Sequence, residues 1–382
     1  MQKTLIRKAK KMKKKYLANI KNGLKIYYAR AMDNIDNYEI INDDIQTQNA
    51  INQKGFSLVN PYESKDVSVV HPGTIIEKNT QLLQDSDVLI ANLSIKNYTY
   101  IGAIFEIVQA INLKIPTVIC VGNTNYRKRL YFHYYCDFIC KTISEGLEFI
   151  WRFFTYDGIE HQLKEEEAYY QAIATNYEYK SRKIYIDKKS DLDKYEQERI
   201  ILRKKLKEYC KNKSVLELGC GSGDWTQTIV EVAKAVTCID VSSCMIAEAK
   251  KRLNNSPIQP DYICGDFIDE TLTIEPCEIV VSYFALSFLP PIVQNIFLSK
   301  IKNWITPGGC ILFGESMHIS TIPSVGIGCR RIQYRTVGDK KYVMFKEHFS
   351  PDRLRKLIST HQLKVFDFSD NFRWFSFCCA QL

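Results

Sequence analysis

No acidic residue occurs before Asp33, so nothing local neutralises the stretch RKAKKMKKK from Arg7 to Lys15. A cationic run of this kind is a solvated tail or helix, or it grips nucleic acid, phosphates or an anionic surface. Transit peptides favour Arg and Ser, whereas this run is rich in Lys. The sequence also lacks an apolar run of about 18 residues and a signal-peptide core, so no membrane segment is expected. None of the thirteen cysteines forms a C-x-x-C pair. Without a secretory signal they are expected as reduced thiols in the cytoplasm. The nearest approach to a metal cluster is HYYCDFIC, with His133, Cys136 and Cys140. That segment reads as a buried strand, and no metal site is expected there. There is no internal repeat.

What the chain does contain is apolar strands alternating with helical stretches, twice over. The first series runs LKIYYA (Leu24–Ala29), a helix from Asn34 to Gln53, FSLVNP, a helix from Thr74 to Gln84, and DVLIANL. It continues with a helix from Tyr100, then PTVICV, DFICKTI and the closing helix SEGLEFIWRFF. A second series begins at Ser214 with SVLELGCGSG, AVTCIDVS, DYICGD, CEIVVSYFAL and GGCILFGE. Such alternation makes parallel βαβ units. The expectation is an α/β chain of two doubly wound parallel-sheet domains. The first is expected to be flavodoxin-like. The second is expected to be Rossmann-like with an antiparallel C-terminal edge. The expected boundaries are a basic extension over 1–23, a first domain over 24–154, a linker over 155–168 and a second domain over 169–382. A hairpin is expected to turn at Gly338–Asp339. Ser350 and Pro351 are expected to open the helix after it.

Three strand ends in the second half carry chemistry. VLELGCGSGDWT places Gly219, Gly221 and Gly223 between a strand and a helix, where glycine permits a tight turn and backbone contact with a ligand. The spacing G-x-G-x-G, with Glu217 before it, is not the dinucleotide fingerprint. TCID ends the next strand in Asp240, where a carboxylate can accept ribose hydroxyls. A third strand ends before Asp266. These residues resemble the class I S-adenosylmethionine-dependent methyltransferases over about Tyr169 to Leu382. The resemblance implies S-adenosylmethionine as cofactor. It places Glu217 to Gly223 at its methionine end and ribose, Asp240 on the ribose hydroxyls and Asp266 near the adenine amino group. ITPGG (Ile305–Gly309) matches the family's turn before its fifth strand. After the fourth strand, SYFALSFLPP holds neither an Asn/Asp-Pro-Pro-Tyr/Phe motif nor a Pro-Cys, which argues against DNA amino-adenine and cytosine-C5 methylation. Tyr283, Glu315 and His318 sit at or after strand ends, where a base for the acceptor would be; packing or surface roles are the plainer reading. Arg330, Arg331 and Arg335 in CRRIQYR either bind an anionic acceptor or decorate a solvated hairpin.

The first half contains a carboxylate in an apolar helix. In YIGAIFEIVQAI, the residues Ile101, Ile104, Phe105, Val108 and Ile111 recur at the spacing of a buried stripe. Glu106 sits among them, although burying an unpaired charge costs several kcal/mol. Gly102, Ala103, Gln109 and Ala110 leave its face mostly small. The segments KIYYARAMD, FSLVNP, DSDVLIANL and GAIFEIVQAINLKIPTVIC together resemble the nucleoside 2-deoxyribosyltransferases and the related deoxynucleoside monophosphate N-glycosidases. The resemblance covers about Leu24 to Ile150. It implies that Glu106, after Gly102, is the nucleophile on the anomeric carbon. Tyr27, with Tyr28 as the other candidate, would orient it. Asn79 stands where the family has an Asp that protonates the base, and Tyr100 where it has an Asp or Ser. Arg30 holds a 5'-phosphate or lies on the surface.

The expected function is therefore a bifunctional enzyme: methyl transfer in the second half, nucleoside or nucleotide binding and N-glycosidic cleavage or deoxyribosyl transfer in the first. The alternative is an RNA or small-molecule methyltransferase whose first domain only senses nucleotide. The first resemblance also suggests a homo-oligomer.

Overall fold

Strand β1 (Lys25–Arg30) is buried from Ile26 onward on both faces, as expected of a strand inside a parallel sheet with helices on either side. The structure is a computed structural model, and it describes residues 20–31, 37–62, 72–174, 189–267, 269, 272–317, 324–369 and 372–382. The basic run Arg7–Lys15 and His318 lie outside the described residues. The described chain falls into two units: residues 20–161 with 324–332, and residues 162–323 with 333–382.

The first unit continues with α1 (Asn37–Gln53), β2 (Ser57–Val59), α2 (Pro72–Gln84), β3 (Val88–Asn92), α3 (Ile101–Asn112) and β4 (Thr117–Cys120). It then runs through α4 (Leu130–Tyr135), β5 (Phe138–Cys140) and α5 (Ile143–Phe154). All pairings in its sheet are parallel, in the order β2-β1-β3-β4-β5. That is the flavodoxin-like order, whose switch point lies between β1 and β3.

Two expectations change here. The buried stripe of α3 is the other one: Ala103, Glu106, Ile107 and Ala110 face inward, while Ile101 is 70% and Phe105 66% exposed. The helix carries two overlapping ladders of i, i+3, i+4 spacing, and periodicity cannot choose between them. Small side chains let the backbone approach the sheet, so the ladder with two alanines packs. HYYCDFIC is also not one strand, because His133 lies in α4 with Nε2 2.7 Å from the Arg127 carbonyl. Only Phe138–Cys140 is strand. Cys140 Sγ lies 3.3 Å from Cys120 Sγ on the neighbouring strand.

Helix α6 (Tyr156–Ile173) occupies the expected linker, and the division between the units falls at Gln162 within it. Its start is tightly joined to α5. Thr155 Oγ1 donates to the Trp151 carbonyl at 2.6 Å and accepts the Gly158 N–H at 3.1 Å. A Cβ on Gly158 would overlap that carbonyl oxygen. Gly158→Ala is expected to destabilise by about 2 kcal/mol, seen as a lowered thermal midpoint; an unchanged midpoint would show that the joint relaxes freely.

The second unit opens with α7 (Lys189–Cys210), followed by β6 (Ser214–Leu218), α8 (Thr226–Ile229), β7 (Ala235–Asp240), α9 (Ser243–Arg252) and β8 (Asp261–Cys264). Next come β9 (Cys277–Tyr283), α10 (Pro291–Ile301) and β10 (Ile305–Ser316). The sheet order is β14-β15-β10-β9-β6-β7-β8, where β14 is Lys364–Ser369 and β15 is Phe375–Gln381. From the β8 edge inward, strands three, two, one, four and five of the series are parallel, the nucleotide-binding order. The β15 and β14 edge is antiparallel, as the sequence led one to expect. ITPGG forms the irregular start of β10, with a register shift between Ile305 and Cys310.

A separate three-stranded sheet joins β11 (Ser324–Val325), β12 (Arg330–Val337) and β13 (Lys340–Glu347). Gly338, with φ of 58°, turns the expected hairpin between the last two. Ser350 caps the last helix, α11 (Pro351–Thr360), accepting the Arg353 N–H at 3.3 Å. No described helix is long and apolar enough to cross a membrane.

Candidate functional site

In the first unit, successive side chains of β1 point to opposite faces, so Tyr27 and Tyr28 serve different partners. Tyr27 donates its hydroxyl to Glu106 Oε1 at 2.7 Å. Tyr28 donates to Asp43 Oδ2 at 2.5 Å, and Asn92 Nδ2 reaches the Tyr28 oxygen at 3.2 Å. Tyr27 is therefore the tyrosine on Glu106. A second phenol, Tyr62, lies 3.3 and 3.4 Å from the two Glu106 oxygens. Burial pushes the Glu106 carboxyl up to about 7, against the pull of both phenols and the Arg30 charge. A buried carboxyl raised in this way and held by two hydroxyl donors is the kind of group that occurs at functional sites.

Arg30 is not on the surface. It is 5% exposed and forks onto Asp44, with Nε 2.6 Å and Nη2 2.5 Å from the two carboxylate oxygens. Asn60 Nδ2 reaches the same carboxylate at 3.2 Å, and the Arg30 guanidinium stacks over Tyr62 at 4.9 Å. Among the described residues, neither Asn79 nor Tyr100 hydrogen-bonds Glu106. Asn79 is half-buried on α2, one residue from Thr80, which accepts from Gln109 of α3 at 3.2 Å. Tyr100 is buried, and its oxygen accepts the Ile95 N–H at 2.7 Å. It packs edge-on against Tyr98 and Tyr126, so its hydroxyl shapes the loop before α3. Sequence reasoning missed Tyr62, Asp44 and Asn60. For Asn60 and Tyr62 the only local signal was their position around Pro61 just after a strand end, where α/β sheets carry ligands; Asp44, on α1, carried none.

In the second unit, Gly219, Gly221 and Gly223 all take positive φ, at 72°, 54° and 80°. Only glycine adopts that region freely. The turn is fixed to the next strand: Gly221 N–H donates to Asp240 Oδ2 at 2.8 Å, and Ser242 N–H to Oδ1 at 2.9 Å. Burial raises the Asp240 carboxyl above its ordinary value, and those two amide bonds oppose the rise. Nothing lies within 4 Å of where a Cβ on Gly221 would project, so the turn presents open backbone. Asp240 therefore sits under the turn with lone pairs left for hydroxyls. These features fit S-adenosylmethionine.

Glu217 is placed differently from the turn it precedes. Its carboxyl is buried, accepts from Thr226 Oγ1 at 2.6 Å and meets Cys238 Sγ at 3.8 Å. Burial pushes it up to about 8. It ties β6 to α8 behind the turn. Asp266 follows β8 in a half-buried loop, where its carbonyl accepts the Asp269 N–H at 2.8 Å. Two arginines of α7 escaped sequence reasoning. Arg199 and Arg203 ion-pair with Asp224 at 2.8 and 2.9 Å and stack over Trp225 at 4.6 and 4.8 Å. They pin the exit of the glycine turn.

The remaining candidates separate clearly. Tyr283 buries its hydroxyl in the core, and burial pushes it well above its usual value; it is not a base. In the first unit Arg330 ion-pairs with Asp137 at 2.5 Å, and Arg331 bonds the carbonyls of Gly326, Ile327 and Gly328. Both are structural. Arg335 of the second unit reaches the Tyr169 hydroxyl at 3.2 Å.

Residues 215–309 match the family model of a methyltransferase domain. The chain is 30% identical over 118 residues to the carboxy-S-adenosyl-L-methionine synthase of Shewanella sp. (strain W3-18-1), across 29% of this chain and 48% of that protein. The corresponding protein of Hydrogenovibrio crunogenus is 30% identical over 115 residues, across 29% of this chain and 45% of its own length. The chain thus spans about half the length of the curated relatives it matches. Among solved structures, it is similar to a DhpI–SAH complex with 21% identity and a TM-score of 0.46, covering 58% of this chain and 97% of that one. It is also similar to the glycopeptide N-methyltransferase MtfA with 17% identity and a TM-score of 0.37, covering 47% and 90%. The match to a methyltransferase domain thus falls within the doubly wound second unit.

Proposed function

We propose that the protein is a two-part enzyme of nucleoside or nucleotide modification. The second unit transfers a methyl group to a small molecule. The first unit binds a nucleoside or nucleotide and cleaves its N-glycosidic bond through Glu106. S-adenosylmethionine supplies a methyl group on a sulfonium centre. Gly219 to Gly223 hold its methionine end and ribose through backbone, Asp240 accepts the ribose hydroxyls, and Asp266 lies near the adenine. The similarity to carboxy-S-adenosyl-L-methionine synthases supports this cofactor reading and leaves the acceptor open.

The observation that carries the first-unit reading is the buried carboxyl of Glu106 between the Tyr27 and Tyr62 hydroxyls. As carboxylate it attacks the anomeric carbon; the carbon–nitrogen bond breaks, and its electron pair leaves with the base, which takes up a proton. Water or a second base then resolves the glycosyl-enzyme, the two-step path of retaining glycosidases. The phenols keep the carboxylate aimed while it is charged. Arg30 and Asp44 hold Tyr62 in place by stacking and ion pairing.

The test offers the purified full chain a panel of nucleosides and 5'-monophosphates and follows free base by chromatography. Base release supports the reading, and its absence across the panel with measurable binding of one member overturns cleavage. A second reading, a nucleotide sensor coupled to the methyltransferase, is favoured by Asn79, which cannot donate a proton as a carboxylic acid does. Nucleotide-dependent methylation that survives Glu106→Gln would establish it. A nucleic-acid acceptor gripped by Arg7–Lys15 is the remaining rival, recognised by RNA affinity falling steeply with salt. Homo-oligomerisation and a cytoplasmic location belong to the same proposal.

A further inference from the structure

Glu315 is fully buried at the C-terminal edge of the second unit's sheet, one residue beyond the Gly314–Tyr283 pair that joins β10 to β9. Ligands of doubly wound sheets bind outside that edge. Its Oε1 accepts the Ser287 N–H at 3.3 Å. Its Oε2, among the described residues, has no hydrogen-bond partner. A buried carboxyl oxygen without a donor weakens a fold, and a ligand N–H would supply one. Ser287 also joins Glu315 to a cation: Lys346 Nζ donates to Ser287 Oγ at 2.6 Å.

The cluster continues from the cofactor turn. A Cβ on Gly219 would lie 3.1 Å from Ala285 Cβ, and Ser287 follows two residues later. Between them and β9, Phe284 takes φ of 60° and donates its N–H to the Gly314 carbonyl at 2.7 Å. A left-handed aromatic residue is uncommon, and such strain gathers at functional sites. The outer wall is aromatic. Lys346 lies 4.1 Å over the Phe288 ring, Arg335 lies 5.3 Å from it, and Tyr170 meets it edge-on at 6.2 Å. Phe288 and Tyr170 are half-buried.

We propose that Glu315 and Lys346, joined through Ser287, read the N–H and C=O edge of a planar cyclic amide, and that Glu315 takes the proton when that nitrogen is methylated. The inference rests on the methyl-transfer reading above and deepens it by naming the acceptor class. A free carboxyl oxygen accepts the N–H, the ammonium donates to the neighbouring carbonyl, and flat rings stack against Phe288 and Tyr170. The acceptor nitrogen forms its bond to the methyl carbon, and the sulfonium sulfur keeps the electron pair of the broken carbon–sulfur bond. The nitrogen's proton passes to Glu315 Oε2. Lys346 stabilises the negative charge that spreads to the carbonyl oxygen as the proton leaves. Burial holds the Glu315 carboxyl up at about 7, against the pull of Lys346, where a general base is effective.

The experiment uses the full chain, its Glu315→Gln and Lys346→Met variants, and uracil and hypoxanthine as probes. Calorimetry first measures S-adenosylhomocysteine, which should bind the parent and both variants within about threefold. On the loaded parent, uracil or hypoxanthine should bind at least about tenfold tighter than 1,3-dimethyluracil or 1-methylhypoxanthine, which lack the lactam N–H. Lys346→Met should weaken that binding by about tenfold. Glu315→Gln should hold the heterocycle within about tenfold and lose methyl transfer to it by about a hundredfold or more. Parent protein that fails to bind S-adenosylhomocysteine overturns the methyltransferase reading itself. Parent that binds it but takes neither heterocycle, or prefers the N-methylated forms, overturns this inference alone. A Glu315→Gln variant that methylates as fast as the parent overturns it too.

Discussion

Glu106→Gln is expected to reduce release of free base by about a thousandfold or more while leaving the first unit folded. The amide keeps the volume and one acceptor for the Tyr27 hydroxyl but cannot attack an anomeric carbon. Thermal unfolding provides the control, with its sign fixed by the carboxyl. Burial holds that carboxyl at about 7 in the folded state, above its ordinary value of 4.5. A group raised by folding contributes its full stability below the unfolded value and loses it as pH climbs through the folded one. The parent should therefore weaken relative to Glu106→Gln between about pH 4.5 and pH 7, with the difference constant above. In the proposed mechanism the pH dependence of turnover runs the other way, because only the carboxylate would attack. Parent turnover should rise with pH to a plateau above about 7. A variant that releases base at the parental rate would remove Glu106 from the chemistry. A variant that melts earlier than the parent at pH 8 would show that Tyr27 and Tyr62 need the charge.

Asp240→Ala should lower affinity for S-adenosylhomocysteine by about a hundredfold. Two losses combine in this change. The carboxylate proposed to accept the ribose hydroxyls goes, and the N–H groups of Gly221 and Ser242 lose the acceptor that fixes the glycine turn to β7. Titration calorimetry on the full chain reads the effect. Unchanged affinity would place the cofactor away from this edge. Asp240→Asn separates the two losses: its single amide oxygen still serves one N–H, while its amine faces the other donor, so affinity should fall between parent and Asp240→Ala.

The cofactor half was legible because its signals are local. A glycine that must take positive φ, as Gly219, Gly221 and Gly223 do, is written in one position. An acidic residue at a strand end is written in the next. Glu217 shows the limit: it belongs to the same short motif, yet its carboxyl turns inward to Thr226, because strand alternation and packing decide the direction of a side chain. In the first unit, the apolar spacing of α3 was real but double. The sheet accepted the face with Ala103 and Ala110, leaving Ile101 and Phe105 outside.

The sequence by itself determined the alternation of strand and helix, the parallel sheets, the glycine turn with Asp240 and the carboxylate on α3. These follow from backbone preference and residue type over a few positions. Only the tertiary structure decided that Tyr27 and not Tyr28 meets Glu106, across 79 positions of sequence. It also decided that Arg30 is buried on Asp44, that Tyr62 joins Tyr27 at Glu106, and that Glu315 keeps an oxygen without a donor among the described residues. The reason is physical: hydrogen-bond partners of buried groups are set by which elements the sheets bring together, and no local pattern encodes those distances.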